Sequence, residues 1–167
     1  MQFVGFVSVD QVIQAFRGDH HVLMVTQQWP DTPFLRTVLV RLARRPVEQF
    51  LQLAWKLCLI DRDELLSTVY PVWPKQGTDQ NYSWPLKDMI AAVKAGSYSP
   101  PDAKRVQALA NNMKANPPKD LGPLVGYQDP GKILLEDGHN RLTAAGMVDV
   151  IPMTVTMYVG VSTPASP

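Results

Sequence analysis

The sequence has little of several features that would identify a class of protein directly. It contains one cysteine, Cys58, in 167 residues, so an internal disulfide framework is excluded and no paired-cysteine spacing indicates a metal site. The formal net charge is only +1, so no overall positive field attracts the chain to nucleic acid or to an acidic membrane. No apolar run approaches the roughly 18 residues of a membrane span. We therefore expect a soluble cytoplasmic protein with no membrane partner.

The apolar content is high enough for one ordinary core. Hydrophobic residues make up 46% of the chain, which suits a single domain over residues 1–167. The sequence pattern predicts three parts within it. They are a mainly helical N-terminal region (1–70), a proline- and aromatic-rich loop with a helix (71–100), and an α+β core (101–160).

The N-terminal part predicts one strand and then mostly helices. A strand at residues 2–7 precedes the capping box Ser8 to Gln11, which begins a helix. Residues 20–27 are rich in strand-forming residues, and a further helix is predicted over 32–45. After it, a second helix would turn an apolar face inward, and Asp61 would cap a third helix that reaches about residue 69. The inward face of the second helix is formed by Val47, Phe50, Leu51, Ala54, Leu57 and Cys58.

The segment YPVWPKQGTDQNYSWP at residues 70–85 breaks this regular pattern. Proline, glycine and asparagine interrupt it, and Trp73 and Trp84 each precede a proline. One interpretation is an aromatic wall on which a base or another ring stacks. The other is a loop held to the core by its tryptophans, which we favour because large aromatic side chains bury well wherever they occur.

The second half of the chain predicts two helices followed by a mixed α and β unit. The first helix has an apolar stripe over 86–93 and ends near Gly96, and the second covers about 102–115. Two strands then flank the turn Asp129-Pro130-Gly131. Residues 151–159 alternate apolar and polar side chains, which predicts a final strand.

The most specific stretch is LLEDGHNRLTAAG at residues 134–146, which predicts a strand that ends at Leu134 and Leu135 and a short helix from Leu142 to Val148. The free backbone N–H groups at a helix start attract anions, and Gly138 lets a ligand approach the backbone. Arg141 has the forked donor geometry that phosphate or carboxylate accepts, and His139 could donate to an oxygen or move a proton. An anion-binding turn is one interpretation. The other is a helix capped by Asp137, with Arg141 in a surface ion pair.

Residues 102–159 resemble the core of the ParB/sulfiredoxin superfamily, most specifically in EDGHNR and in IPMTV ten residues later. The resemblance implies a small mixed sheet with helices. It also implies that Gly138, Asn140 and Arg141 bind a nucleotide (ATP, ADP or CTP) and that Asp137 and His139 are catalytic, with Asp137 also a ligand of Mg²⁺. His139 stands where sulfiredoxins have a reactive cysteine, which argues against sulfinic acid reduction. The turn resembles those of the ParB-like kinases and nucleases more than that of the partition proteins.

Two classes of function remain open from the sequence. One is a nucleotide- or phosphate-binding enzyme, either a phosphotransferase, an NTPase or a nuclease, whose phosphate cradle is a helix start because a GxxxxGK[ST] loop is absent. The other is a non-catalytic module of plasmid or phage type that contacts DNA or a partner protein through the same turn. The sequence leaves the oligomeric state open.

Overall fold

The computed structural model describes residues 1–19 and 47–162, so the strand predicted at 20–27 and the helix predicted at 32–45 lie outside the described residues. The described residues form six strands and six helices. In chain order these are β1 (Gln2–Val7), α1 (Val9–Asp19), α2 (Val47–Gln52), β2 (Ala54–Asp61), α3 (Arg62–Thr68), β3 (Val69–Pro71), α4 (Leu86–Lys94), α5 (Ala103–Ala115), β4 (Leu124–Asp129), β5 (Lys132–Asp137), α6 (His139–Met147) and β6 (Thr154–Val161).

Two of the predicted helix starts have the side-chain caps that the sequence indicates. The backbone N–H of Ser8 donates to Gln11 Oε1 at 2.8 Å, and the backbone N–H of Gln11 donates to Ser8 Oγ at 3.3 Å. Asp61 Oδ1 accepts from the backbone N–H of Glu64 at 2.9 Å and begins α3. Each cap satisfies backbone donors that the helix itself leaves without partners.

The strands form one mixed sheet in the order β1-β2-β6-β4-β5-β3. The β4–β6 and β3–β5 pairs are parallel, and the other three pairs are antiparallel. The α+β class predicted from the sequence is therefore confirmed. None of the helices in the described ranges is both long enough and apolar enough to cross a membrane.

The prediction of a helix through Ala54, Leu57 and Cys58 is wrong. The helix ends at Gln52, and after Leu53 the eight residues Ala54–Asp61 form β2, which pairs with β1 on one side and with β6 on the other. β2 carries buried apolar side chains on both faces, Trp55 on one and Cys58 and Ile60 on the other, so its apolar residues run almost continuously and resemble a helical stripe. The N-terminal part is thus less helical than expected, because its described residues contribute three strands.

The core consists of two clusters on opposite faces of the sheet. Leu124 and Val125 are consecutive in β4 and belong to different clusters, as the alternation of side chains along a strand requires. The larger cluster contains the apolar sides of α4, α5 and α6, and the smaller contains residues of α1 and α2. At Gly146 in α6, an added Cβ would overlap Ile90, so this glycine permits the close packing of α4 against α6.

Candidate functional site

The turn between β5 and α6 has the strand-to-helix geometry that the sequence predicts, although the helix begins earlier than expected. The strand ends at Asp137, and α6 starts at His139. Gly138 lies between them at φ 101°, and a Cβ at this position would overlap Leu124 Cδ2. Both the backbone angle and the close packing therefore require glycine. The N-cap residue of α6 is Gly138, which has no side chain, and not the predicted Asp137.

Arg141 points its guanidinium inward, toward the loop that precedes β4. Its Nη1 donates to the backbone oxygen of Leu121 at 2.7 Å, and its Nη2 donates to the backbone oxygen of Pro123 at 3.2 Å. The same Nη2 lies 3.2 Å from Asp137 Oδ2. The side chains of Arg141 and Asp137 are 15% and 9% exposed, so this is a buried pair and not the surface ion pair considered above. The guanidinium ties the turn to β5 and to the preceding loop.

His139 is buried, and its ring makes contacts that suit a neutral imidazole. The backbone N–H of Val72 donates to Nε2 at 3.1 Å, and the indole of Trp73 stacks on the ring at a centroid distance of 5.2 Å. Burial lowers the pKa of His139 to about 3, a hydrogen bond to the Leu135 backbone raises it, and the charge of Arg141 lowers it further. The imidazole therefore stays neutral near pH 7 and joins the 72–85 loop to the turn.

This burial predicts a specific loss of stability in acid. Between pH 6.5 and about 3 the unfolded chain binds a proton at His139 and the folded chain does not, so the free energy of unfolding falls as pH falls. The contribution of His139 lowers the free energy of unfolding by up to about 1.4 kcal/mol for each pH unit below pH 6.5. We expect His139→Gln to be less stable than the wild type at pH 7. Between pH 6.5 and 5, however, its free energy of unfolding should change less with pH than that of the wild type.

Urea titrations of both proteins at several pH values measure this difference. His20 and His21 are present in both proteins, so their contributions cancel in the comparison. Parallel curves for the two proteins would show that His139 takes up its proton in the folded chain as readily as in the unfolded chain.

The turn forms one side of a cleft of about 380 Å³. Helix α5 supplies the opposite side through Arg105, which is exposed, and through Leu109. At the turn itself, Asn140 Oδ1 is buried and makes no hydrogen bond with the described residues. The five predicted site residues all line this cleft, namely Asp137, Gly138, His139, Asn140 and Arg141, and so do Trp73, Pro101, Asp102 and Glu136.

The two tryptophans of the 72–85 loop have different environments. Trp84 is 7% exposed, belongs to the larger core cluster and donates from Nε1 to the backbone oxygen of Trp73 at 3.2 Å. Trp73 is half-buried and borders the cleft. The core-anchoring interpretation therefore describes Trp84 fully and Trp73 in part, because Trp73 packs against the same cluster and also borders the cleft, where a ligand could contact it.

Glu136 and Tyr82 form a polar contact that the sequence did not single out. Glu136 is 1% exposed, lines the cleft, and accepts from the Tyr82 hydroxyl through Oε1 at 2.8 Å. Burial and the nearby Glu136 carboxylate raise the pKa of Tyr82, so its hydroxyl remains a donor at neutral pH. A charged residue at the end of an apolar strand was the available signal for Glu136. No pattern in the sequence indicated Tyr82, because its partner Glu136 lies 54 residues away.

The described residues contain no preformed metal centre. Within 1–19 and 47–162, no group of three or more His, Cys, Asp or Glu side chains is arranged to hold a metal ion. The carboxylate of Asp137, the predicted Mg²⁺ ligand, is held by Arg141.

Comparisons of the chain with protein-family models, with curated proteins and with solved structures find no match. The resemblance to the ParB/sulfiredoxin superfamily accordingly stays a hypothesis that depends on the turn and the elements around it.

Proposed function

We propose that this chain binds a phosphate-bearing small molecule, such as a nucleotide, in the cleft at the start of α6. One observation carries the proposal. The N-cap residue of α6 is a glycine, and the start of this helix lies in a cleft that Arg105, Asn140 and Trp73 also line. Backbone donors, a cation and an aromatic ring thus meet around a space of ligand size.

The start of α6 supplies donors for an anion. The first N–H groups of a helix have no acceptor within it, and the helix dipole favours negative charge at this end. Gly138 lines the cleft, and phosphate binds to helix starts of this kind. Arg105 adds a positive charge on the opposite side of the cleft.

Carboxylates in the same cleft limit which anions bind. Asp102, Glu136 and Asp137 line it, and a bare anion would be repelled by them. The pair with Arg141 offsets the charge of Asp137, and the Tyr82 hydroxyl donates to Glu136. A ligand that brings its own cation or hydrogen-bond donors would reduce the remaining repulsion, so binding is tested with and without magnesium.

The environment of the turn changes the roles proposed for individual residues. We assign His139 and Arg141 to holding the turn, because the His139 ring is buried and neutral and the Arg141 guanidinium donates to backbone carbonyls. Gly138 and Asn140 remain in the proposed ligand site. Of the two residues predicted to be catalytic, Asp137 and His139, Asp137 keeps that role if the chain is a phosphotransferase, NTPase or nuclease. Its carboxylate borders the cleft. A space of about 380 Å³ favours a small molecule over the alternative of a DNA- or protein-binding module.

Titration calorimetry with AMP, ADP, ATP and CTP, each with and without Mg²⁺, tests this function. We expect Arg105→Ala to weaken binding of the tightest of these by roughly tenfold, which is the usual loss for one charge-assisted hydrogen bond. Lys104→Ala is the matched control, because Lys104 is the exposed neighbour of Arg105 on α5 and does not line the cleft. The absence of binding to all these nucleotides, or equal losses in both variants, would contradict the proposal.

A further inference from the structure

We propose that Trp73 recognises an aromatic ring on the ligand, so that the cleft selects phosphate esters of ring-bearing compounds over those without a ring. This inference rests on the proposed function and specifies its ligand class. Trp73 lies in the 72–85 loop, outside the residues that resemble the ParB/sulfiredoxin superfamily. Its role therefore follows from the contacts of this chain alone.

The indole of Trp73 is held in place before any ligand arrives. On its N-terminal side the backbone N–H of Val72 donates to His139 Nε2 at 3.1 Å, and the Trp73 backbone oxygen accepts from Trp84 Nε1 at 3.2 Å. Two residues later, the backbone N–H of Lys75 donates to Ser83 Oγ at 2.9 Å, which closes the loop on itself. A side chain that is already ordered loses little conformational entropy on binding.

The contacts of the ring leave part of it available to a ligand. Trp73 stacks on His139 with an angle of 29° between the ring planes, so one region of the indole is backed by a neutral imidazole. Trp73 as a whole is half-buried, since it packs against the larger core cluster and also borders the cleft that contains the start of α6 and Arg105. A phosphate at the helix start and a ring against Trp73 would therefore occupy one continuous space.

The chemistry of stacking defines the expected ligand. Bases stack on aromatic side chains with little dependence on which base is present, because every base has a π face. We therefore expect AMP and CMP to bind with similar affinity and ribose 5-phosphate to bind more weakly. The expected difference is about ten- to a hundredfold in dissociation constant, as is typical of one stacked base.

The test compares AMP, CMP and ribose 5-phosphate on the wild type, on Trp73→Leu and on Trp55→Phe by titration calorimetry. Trp73→Leu keeps an apolar side chain but removes the ring, so it should lose the preference for AMP and CMP while ribose 5-phosphate binds as before. Trp55→Phe is the control, because Trp55 is 2% exposed and belongs to the core cluster on the other face of the sheet. It should keep the full preference.

The outcomes separate this inference from the proposed function. If the wild type binds all three compounds equally, or if Trp73→Leu keeps the preference, the role of Trp73 is overturned while phosphate binding stands. If the wild type binds none of them, the proposed function fails and this inference fails with it. The comparison of the three compounds on the wild type needs no variant. Equal binding of all three would overturn the role of Trp73 even if Trp73→Leu does not fold.

Discussion

Replacing Arg141 with alanine is expected to lower the free energy of unfolding by about 3–5 kcal/mol, the usual loss when one partner of a buried ion pair is removed. The variant would leave the Asp137 carboxylate, which is nearly buried, without this cation. It would also leave the backbone oxygens of Leu121 and Pro123 without the guanidinium donors. Chemical denaturation followed by circular dichroism measures the effect.

Two controls separate the charge of Arg141 from its geometry. Arg141→Lys keeps the charge but cannot reach both carbonyl oxygens and the carboxylate with a planar fork, so we expect a smaller but clear loss of stability. Lys104→Ala removes an exposed positive charge and should change stability by about 0.5 kcal/mol or less. If Arg141→Ala unfolds like the wild type but binds nucleotides more weakly, the guanidinium serves the ligand, as the sequence first suggested.

Replacing Gly138 with alanine is expected to cost roughly 2–4 kcal/mol of stability, from a disfavoured backbone angle and an overfilled core. The residue has φ 101°, and the new Cβ would overlap the fully buried Leu124. Because the turn would shift to relieve this overlap, binding at the start of α6 should weaken as well. Thermal and urea unfolding measure the loss of stability.

Gly131→Ala is the matched control for Gly138→Ala. Gly131 has φ 74°, but apart from its two chain neighbours no described residue comes within 4 Å of the position of its Cβ. Only the disfavoured backbone angle therefore contributes, at about 1–2 kcal/mol. The difference between the two variants isolates the contact with Leu124. Combining Gly138→Ala with Leu124→Ala should cost less than the sum of the single changes, since the shorter side chain makes room for the methyl group. Equal losses at the two glycines would show that Leu124 does not pack against the turn.

The sequence correctly predicted the helix starts and the turn that are specified by residues close together in the chain. The capping residues Ser8 and Asp61 mark helix starts correctly, and Gly131 has the positive φ that its place in the β4–β5 turn requires. The helix predicted through Cys58 is wrong because the choice between helix and strand there depends on pairing with β1 and β6. Those strands lie far from β2 in the sequence, so a local pattern could not reveal the pairing.

The sequence predicted the strand-to-helix turn of the candidate site but not the contacts of its side chains. The turn lies in a cleft, and Arg141 bonds to backbone oxygens 18 and 20 residues earlier in the chain. His139 likewise meets Val72, 67 residues away, so its burial and low pKa had no local signal. Arg105 and Trp73 come to the cleft from a neighbouring helix and from a loop. Only the packing of the whole chain brings these residues together.

The most direct test of ligand binding at the start of α6 is a titration of the ¹⁵N-labelled protein with AMP, followed by amide chemical shifts. We predict that the largest changes occur at the backbone amides of Gly138, His139 and Asn140. The competing site is a second cleft of about 430 Å³ between α3 and α4, where Lys87 and Lys94 could also attract a phosphate. Changes confined to that cleft, or no changes at millimolar AMP, would contradict phosphate binding at the turn.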